Sequence, residues 1–481
     1  MATEVDKFER LRDVGKLEKN STARHPERIY NNVAVSANYT VPASYTLPVK
    51  DYVYKVLETL IDQHPVLSVF PQDEETEEPY FVRLPEIDLS QLVLFQKFEQ
   101  RLTLDDQDSE FRAFIEKEHD TGFVAPGPYW RLFILTDNES ERQFTAVFVY
   151  HHALGDGGSG SAFHRTFLKA LRDSASLQQG EAKDVIIPPK TPLLPPLEEV
   201  HPLPISLPYL LKVIYKTIFP SKPNPKLWAG AVHQLPVKNQ VRNVVFTAKQ
   251  TSSLAKVCRA NGTTVTCALE IIVARALFAN VPEKYSLLTC SVPMTNRQWV
   301  SDPNITDDSM GVWVQEFTET FSRQAIFPKS SHESFPWSEA KRARQSVKRE
   351  LALKGKNTSV GLFKYVKNYR KQLIDPKMGK PRATTFEVSS LGVLKSETQK
   401  KEQNAEQESA EGTGPEVEVP QVGRVVFTQS ASATGAAIQF SVITGADGCL
   451  ALGVSWQSGI VEDEVMEGTL KSVREGVERL L

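Results

Sequence analysis

Cysteine is scarce in this chain of 481 residues, with only Cys258, Cys267, Cys290 and Cys449. No two form a CxxC pair and their spacing makes no zinc set, so reduced structural thiols are expected and no metal site is. Charge of one sign is lacking as well. The net charge is -3, without the basic surplus of a nucleic-acid protein, so no nucleic-acid partner is expected. No apolar run reaches the ~20 residues of a bilayer span. The opening "MATEVDKFERLRDVGKLEKN" is polar and charged, without the apolar core of a signal peptide. A soluble, cytoplasmic, monomeric protein is the expectation from these absences. Hydrophobic residues at 41% and charged residues at 24% are ordinary globular values, and the length asks for two domains or two large lobes.

Periodicity supplies the elements. "VYKVLETLIDQHPVLSVFP" has helical spacing followed by a short strand. "WRLFILTD" and "QFTAVFVYHH" read as two strands with "NESER" as their turn, and "SAFHRTFLKALRDS" as a helix with Ser161 as candidate N-cap. Proline then accumulates through residues 186–235, a crossover linker between a lobe at 1–185 and another at 236–481. Inside the linker, "YLLKVIYKTIF" (209–219) is amphipathic with lysines on one side. A crossover piece packed on the protein is the plainer expectation, and weak contact with the surface of an internal membrane the alternative.

The second lobe begins with a strand in "VRNVVFTAKQ" and a helix, Asn-Gly turn and helix in "TSSLAKVCRANGTTVTCALEIIVARALFANV". "YSLLTCSVPMTNR" is a strand entering a loop, and "SEAKRARQSVKRELALK" a helix with a solvated basic face. Residues at about 396–420 are polar, of low complexity and without aromatics, so a disordered surface loop is expected. "GRVVFTQSAS", "AAIQFSVITG" and "CLALGVSWQSG" alternate as a β-meander or hairpin, and a helix from about Glu462 closes the chain.

The chemistry gathers in "YHHALGDGGSGS", Tyr150 to Ser161. Side chains alternate along a strand, so His151 and His152 point apart and make poor co-ligands for one metal. "GGSGS" misses the second glycine of a serine elbow, and no Gly-Lys-Ser/Thr follows to make a phosphate loop. A histidine at a strand-to-turn corner, with an acid to shape the turn, suits general-base catalysis. A buried histidine beside an Asp-Gly turn is the bland alternative.

"HHALGDG" (His151 to Gly157) resembles the HHxxxDG motif of acyl-CoA-dependent transferases related to chloramphenicol acetyltransferase, a superfamily that includes BAHD acyltransferases and peptide-synthetase condensation domains. The strongest likeness is to the fungal and yeast alcohol acetyltransferases, and it runs in order along the chain. It includes "ERIYNNVAVSANYT", "LIDQHPVLSVF", "SVPMTNR", "VSSLGVL" and the closing "FTQSASATGAAIQFSVITGADGCLALGVSWQSG". The DFGWG motif of the BAHD branch is absent from the sequence.

That resemblance implies an α/β (α+β) fold of two pseudo-symmetric lobes with a tunnel between them. It implies direct acyl transfer, acetyl first among the candidates, from acyl-CoA as co-substrate to a small hydrophobic alcohol or amine, in secondary metabolism or detoxification, with no permanently bound cofactor. His152 would be the base, with His151 packing on the opposite face. Asp156 would be structural, paired with Arg297, and Gly157 would allow a tight backbone. Oxyanion donors would come from a backbone N–H near Gly157 and from Ser389, Ser390, Thr428 or Gln429. Two alternatives stay open: a carrier-protein thioester as donor, or a tunnel that binds or cyclises a metabolite without acyl transfer.

Overall fold

The computed structural model describes residues 8–138, 142–328, 334–394 and 418–481. Most of the expected 396–420 loop, and residues 139–141 of the "NESER" turn, therefore lie outside the described residues.

Two sheets organise the chain. The first has five strands in the order Gln421–Gln429, Val33–Thr40, Gln143–Tyr150, Trp130–Thr136 and Val93–Lys97. The second has six, in the order Asn239–Phe246, Leu450–Gln457, Ile438–Thr444, Phe386–Val393, Leu287–Thr295 and Val314–Ser322. Gln143–Tyr150 lies centrally, antiparallel to both neighbours, and is buried from Phe144 onward. That placement explains why "FTAVFVY" is a continuous apolar run rather than an alternating one.

The helix Gly157–Asp173 covers one face of this strand, and the Phe163 ring stacks on Phe148 with centroids 3.8 Å apart. Its N-cap is Asp156, which accepts from the Ser159 N–H; Ser161, the expected cap, is a buried residue of the first turns instead. An aspartate before two glycines outcompetes a serine five residues later because only the first can reach the orphan N–H groups of that helix end.

The lobes are not consecutive segments. Gln421–Gln429 pairs antiparallel with Val33–Thr40 in the first sheet, and Val422, Val425, Val426 and Phe427 join the first lobe's core. Of the expected β-meander or hairpin, the structure forms one hairpin, Ile438–Thr444 with Leu450–Gln457, plus a strand lent to the other sheet. Gly453 makes the crossing: a Cβ there would stand 2.1 Å from the Phe427 carbonyl.

The helix Leu207–Ile218 in the Pro-rich crossover has no fully buried residue and packs by one edge only, through the half-covered Tyr209, Leu210 and Val213. Among the described residues no single helix is long and apolar enough to cross a membrane. The four cysteines are buried free thiols.

Candidate active site

The strand stops at Tyr150, and residues 151–154 form a turn closed by a Leu154 N–H to His151 carbonyl bond of 3.0 Å. The turn, not a continued pleat, sends the two imidazoles apart. The His152 ring meets Tyr30 at 5.7 Å and lines an inner cavity of about 420 Å³. Its Nδ1 is buried without a hydrogen-bond partner. Burial, then the positive charge of Arg24, lowers the imidazole to about 4, against smaller opposing effects of its own backbone and Asp156. The ring is therefore neutral at physiological pH and holds a free lone pair.

His151 turns into a buried cluster behind the motif. Its ring packs edge-on against His25 at 4.6 Å and Tyr129 at 5.4 Å. Glu74 receives the His25 Nδ1–H at 3.0 Å and the Tyr129 hydroxyl at 2.9 Å, and lies 3.7 Å from His151 Nε2. Two histidines and a carboxylate this close have the makings of a metal site, but the backbone sets the tautomers against one. The Phe123 N–H donates to His25 Nε2 at 2.9 Å and the Ala153 N–H to His151 Nδ1 at 3.1 Å. Both rings must then carry their protons on the nitrogens that face Glu74, where a metal would need lone pairs. The cluster is a hydrogen-bonded support for the turn.

Asp156 and Arg297 form a bidentate buried pair, Nη1 to Oδ2 at 2.7 Å and Nη2 to Oδ1 at 2.9 Å. Oδ2 also accepts from the Trp313 N–H at 3.0 Å, and the guanidinium sits 5.0 Å over the Trp313 ring. Burial alone would push the Asp156 carboxyl up, but Arg297 and the Trp313 N–H hold it below its ordinary value. Asp156 N–H to Gly311 carbonyl, 3.0 Å, and Ser159 Oγ to the same carbonyl, 2.9 Å, extend the contact. Together these bonds pin the motif loop to the second lobe. Gly158 is required here, since a Cβ would stand 2.9 Å from Arg297 Nη1. Gly157 is the first helical residue and has no left-handed φ; what a side chain there would meet is Leu391, at 2.7 Å.

A second cavity of about 380 Å³ shares Asp156, Gly157, Pro293, Val314 and Ser389 with the inner one. Ser389 thus stands at the boundary, and Ser390 lines the outer cavity, accepting from Thr266 Oγ1 at 3.2 Å. Gln429 lines the inner cavity, accepting from the Tyr30 hydroxyl at 3.0 Å and donating to Glu387 at 2.8 Å. Thr428 faces the other way, bonded to His119 Nε2 at 2.9 Å, and lines neither cavity. Neighbours on a strand point oppositely, so at most one of Thr428 and Gln429 can serve the site.

Four charged residues of the inner cavity escape sequence reasoning: Arg24, Glu316, Lys377 and Glu387. Burial first, and Glu316 besides, pushes Glu387 up to about 7 against the Gln429 bond and Arg24. Burial lowers Arg24 and Lys377. Nothing local in the sequence marks them, because they come from four distant elements.

The two-sheet arrangement is shared with solved acyl-transfer proteins. Trichothecene 15-O-acetyltransferase TRI3 from Fusarium sporotrichioides superposes with a TM-score of 0.70 at 14% identity, over 100% of this chain and 97% of that one. The first condensation domain of the calcium-dependent antibiotic synthetase gives 0.61 at 14% identity, over 98% and 96%. The fold is of the chloramphenicol acetyltransferase-like class. The model of the alcohol acetyltransferase family matches residues 13–473, and the chain belongs to that family. The probable alcohol acetyltransferase crmB of Aspergillus fumigatus is 33% identical over 96% of this chain and 97% of its own length.

Proposed function

We propose that the chain transfers an acyl group, acetyl first among them, directly from acyl-CoA to a hydroxyl or amine, with His152 as general base. The observation that carries this reading is a neutral, half-buried imidazole on the wall of the inner cavity, beside the residues that the two cavities share. In this reading the cavities are the two arms of one tunnel. Nε2 takes the acceptor's proton, since Nδ1 is buried. As the acceptor oxygen or nitrogen bonds to the thioester carbonyl carbon, the carbonyl becomes an oxyanion. Its collapse expels CoA thiolate, which recovers the proton from His152.

In this reading the oxyanion is received by the backbone N–H of Gly157 at the opening of the Gly157–Asp173 helix, where the first N–H groups have no intrahelical acceptor and the helix end favours negative charge. Ser389 is the side-chain donor favoured by position. Asp156 acts through the loop, as an anchor.

The acceptor is better read as polar than as hydrophobic. Arg24, Lys377, Glu316 and Glu387 line the chamber, and no ion pair joins any two of them among the described residues. Each is held by a neutral neighbour (Arg24 by the Asn20 carbonyl, Glu316 by Ser291, Lys377 by the Thr434 carbonyl, Glu387 by Gln429), so their charges are left to face the cavity, and a polyhydroxylated or amine-bearing acceptor fits this wall. Release of CoA thiol from acetyl-CoA, followed across simple alcohols, polyols and amines, tests the reading. Turnover with polar acceptors is expected. Absence of thiol release with every acceptor, or release only when a carrier-protein thioester replaces acetyl-CoA, would overturn it.

The pH dependence is a separate expectation. Only the unprotonated imidazole can accept a proton, and its affinity is depressed to about 4. Activity is therefore retained above that value and lost as the pH falls through it. In a kcat/KM profile the acidic limb should lie near pH 4, where an unperturbed histidine would place it near ~6.5.

A further inference from the structure

The helix Leu207–Ile218 wears its apolar stripe on the outside. Leu207, Leu211, Ile214, Tyr215 and Ile218 fall on one face by helical spacing. They are 67%, 56%, 44%, 64% and 62% exposed. Tyr209, Leu210 and Val213, elsewhere on the circumference, are half-covered by the body of the protein. A helix of a water-soluble surface is expected to show the reverse.

The element is nonetheless firmly rooted. The Ser206 N–H donates to Asn357 Oδ1 at 2.8 Å, and the Asn357 N–H to the Pro204 carbonyl at 2.9 Å. Just upstream, Leu203 packs in a cluster with Val360 and Phe363, which line the His152 cavity.

Charge says what covers the stripe. Lys212 borders it, Lys216 lies on the far side, Lys222 and Lys226 follow, and no Asp or Glu occurs between Glu199 and Glu270. A second copy of this helix would bring lysine against lysine. An anionic lipid surface satisfies the stripe and the lysines together. Twelve residues reach about 18 Å as a helix, too short to span a bilayer, so the element must lie along the interface.

We propose that Leu207–Ile218 docks this protein on an anionic bilayer surface, with the apolar stripe in the headgroup boundary and the lysines on acidic headgroups. This orients the wall of the His152 cavity close to the membrane. The proposal stands independently of the acyl-transfer reading.

Co-sedimentation of the full-length protein with vesicles tests it, using phosphatidylcholine alone and phosphatidylcholine with phosphatidylserine. The parent should bind the phosphatidylserine vesicles and release them at high salt. Leu211→Glu with Ile218→Glu should abolish binding, and Lys212→Gln with Lys216→Gln should weaken it roughly thirtyfold. Both pairs are exposed, so unchanged melting and unchanged thiol release are expected alongside. No binding, binding equal on both vesicle types, or a parent dimer that the Glu pair converts to monomer would each overturn the proposal.

Discussion

Replacing His152 with alanine should lower turnover by roughly 10²–10⁴ while leaving the fold intact. The geometry separates these two effects cleanly. The ring borders a cavity, its Nδ1 has no hydrogen-bond partner among the described residues, and it meets the Tyr30 ring at 5.7 Å. Removing it therefore empties space already continuous with the cavity and breaks no hydrogen bond to another residue. The matched control is His151→Ala, which strips a fully packed ring from the His25–Glu74–Tyr129 cluster and should show in the melting curve first. Thiol release with an accepted acceptor, measured beside thermal unfolding, distinguishes the two. Parental turnover in His152→Ala would remove it as the base.

Breaking the Asp156–Arg297 pair should be the most destabilising single change in the site. Arg297→Met leaves a buried carboxylate facing an apolar side chain, a situation that costs about 3–5 kcal/mol. Asp156→Ala should cost at least as much, because the same carboxylate caps the Gly157–Asp173 helix and accepts from the Trp313 N–H. Asp156→Asn combined with Arg297→Met leaves no lone charge and should recover part of the loss. Denaturant unfolding of the three variants measures the coupling. Single variants as stable as the parent would show that the clamp between the lobes carries no energy. Because Gly158 leaves no room for a side chain beside Arg297, Gly158→Ala should disturb the same pair.

The site was legible in the sequence where its residues are neighbours. The adjacent histidines could not share a task, and "GDGG" announced a turn entering a helix. Arg297 stands 141 positions from Asp156, and only the resemblance of "TNR" to a family motif joined them. The charged chamber wall was invisible for the same reason: Arg24, Glu316, Lys377 and Glu387 each look like a solvated surface residue in their own segment. Glu74, in the acid-rich "DEETEE", gives no sign that it alone is buried against His25 and His151.

By itself the sequence determined the local elements: the apolar run of Phe144–Tyr150, the body of the helix carrying Phe163 and Phe167, and the amphipathic piece in the proline-rich crossover. Hydrophobic period and backbone preference act over a few residues, so a single strand of text contains them. Only the tertiary structure decided that Gln421–Gln429 joins the first sheet and that Thr428 turns from the site while Gln429 enters it. It also decided that the crossover helix turns its apolar stripe outward. The proton affinity of His152 belongs there too, since it is set by burial and by Arg24, 128 positions away along the chain. Burial and electrostatic fields depend on distance in space, and sequence separation does not encode that distance.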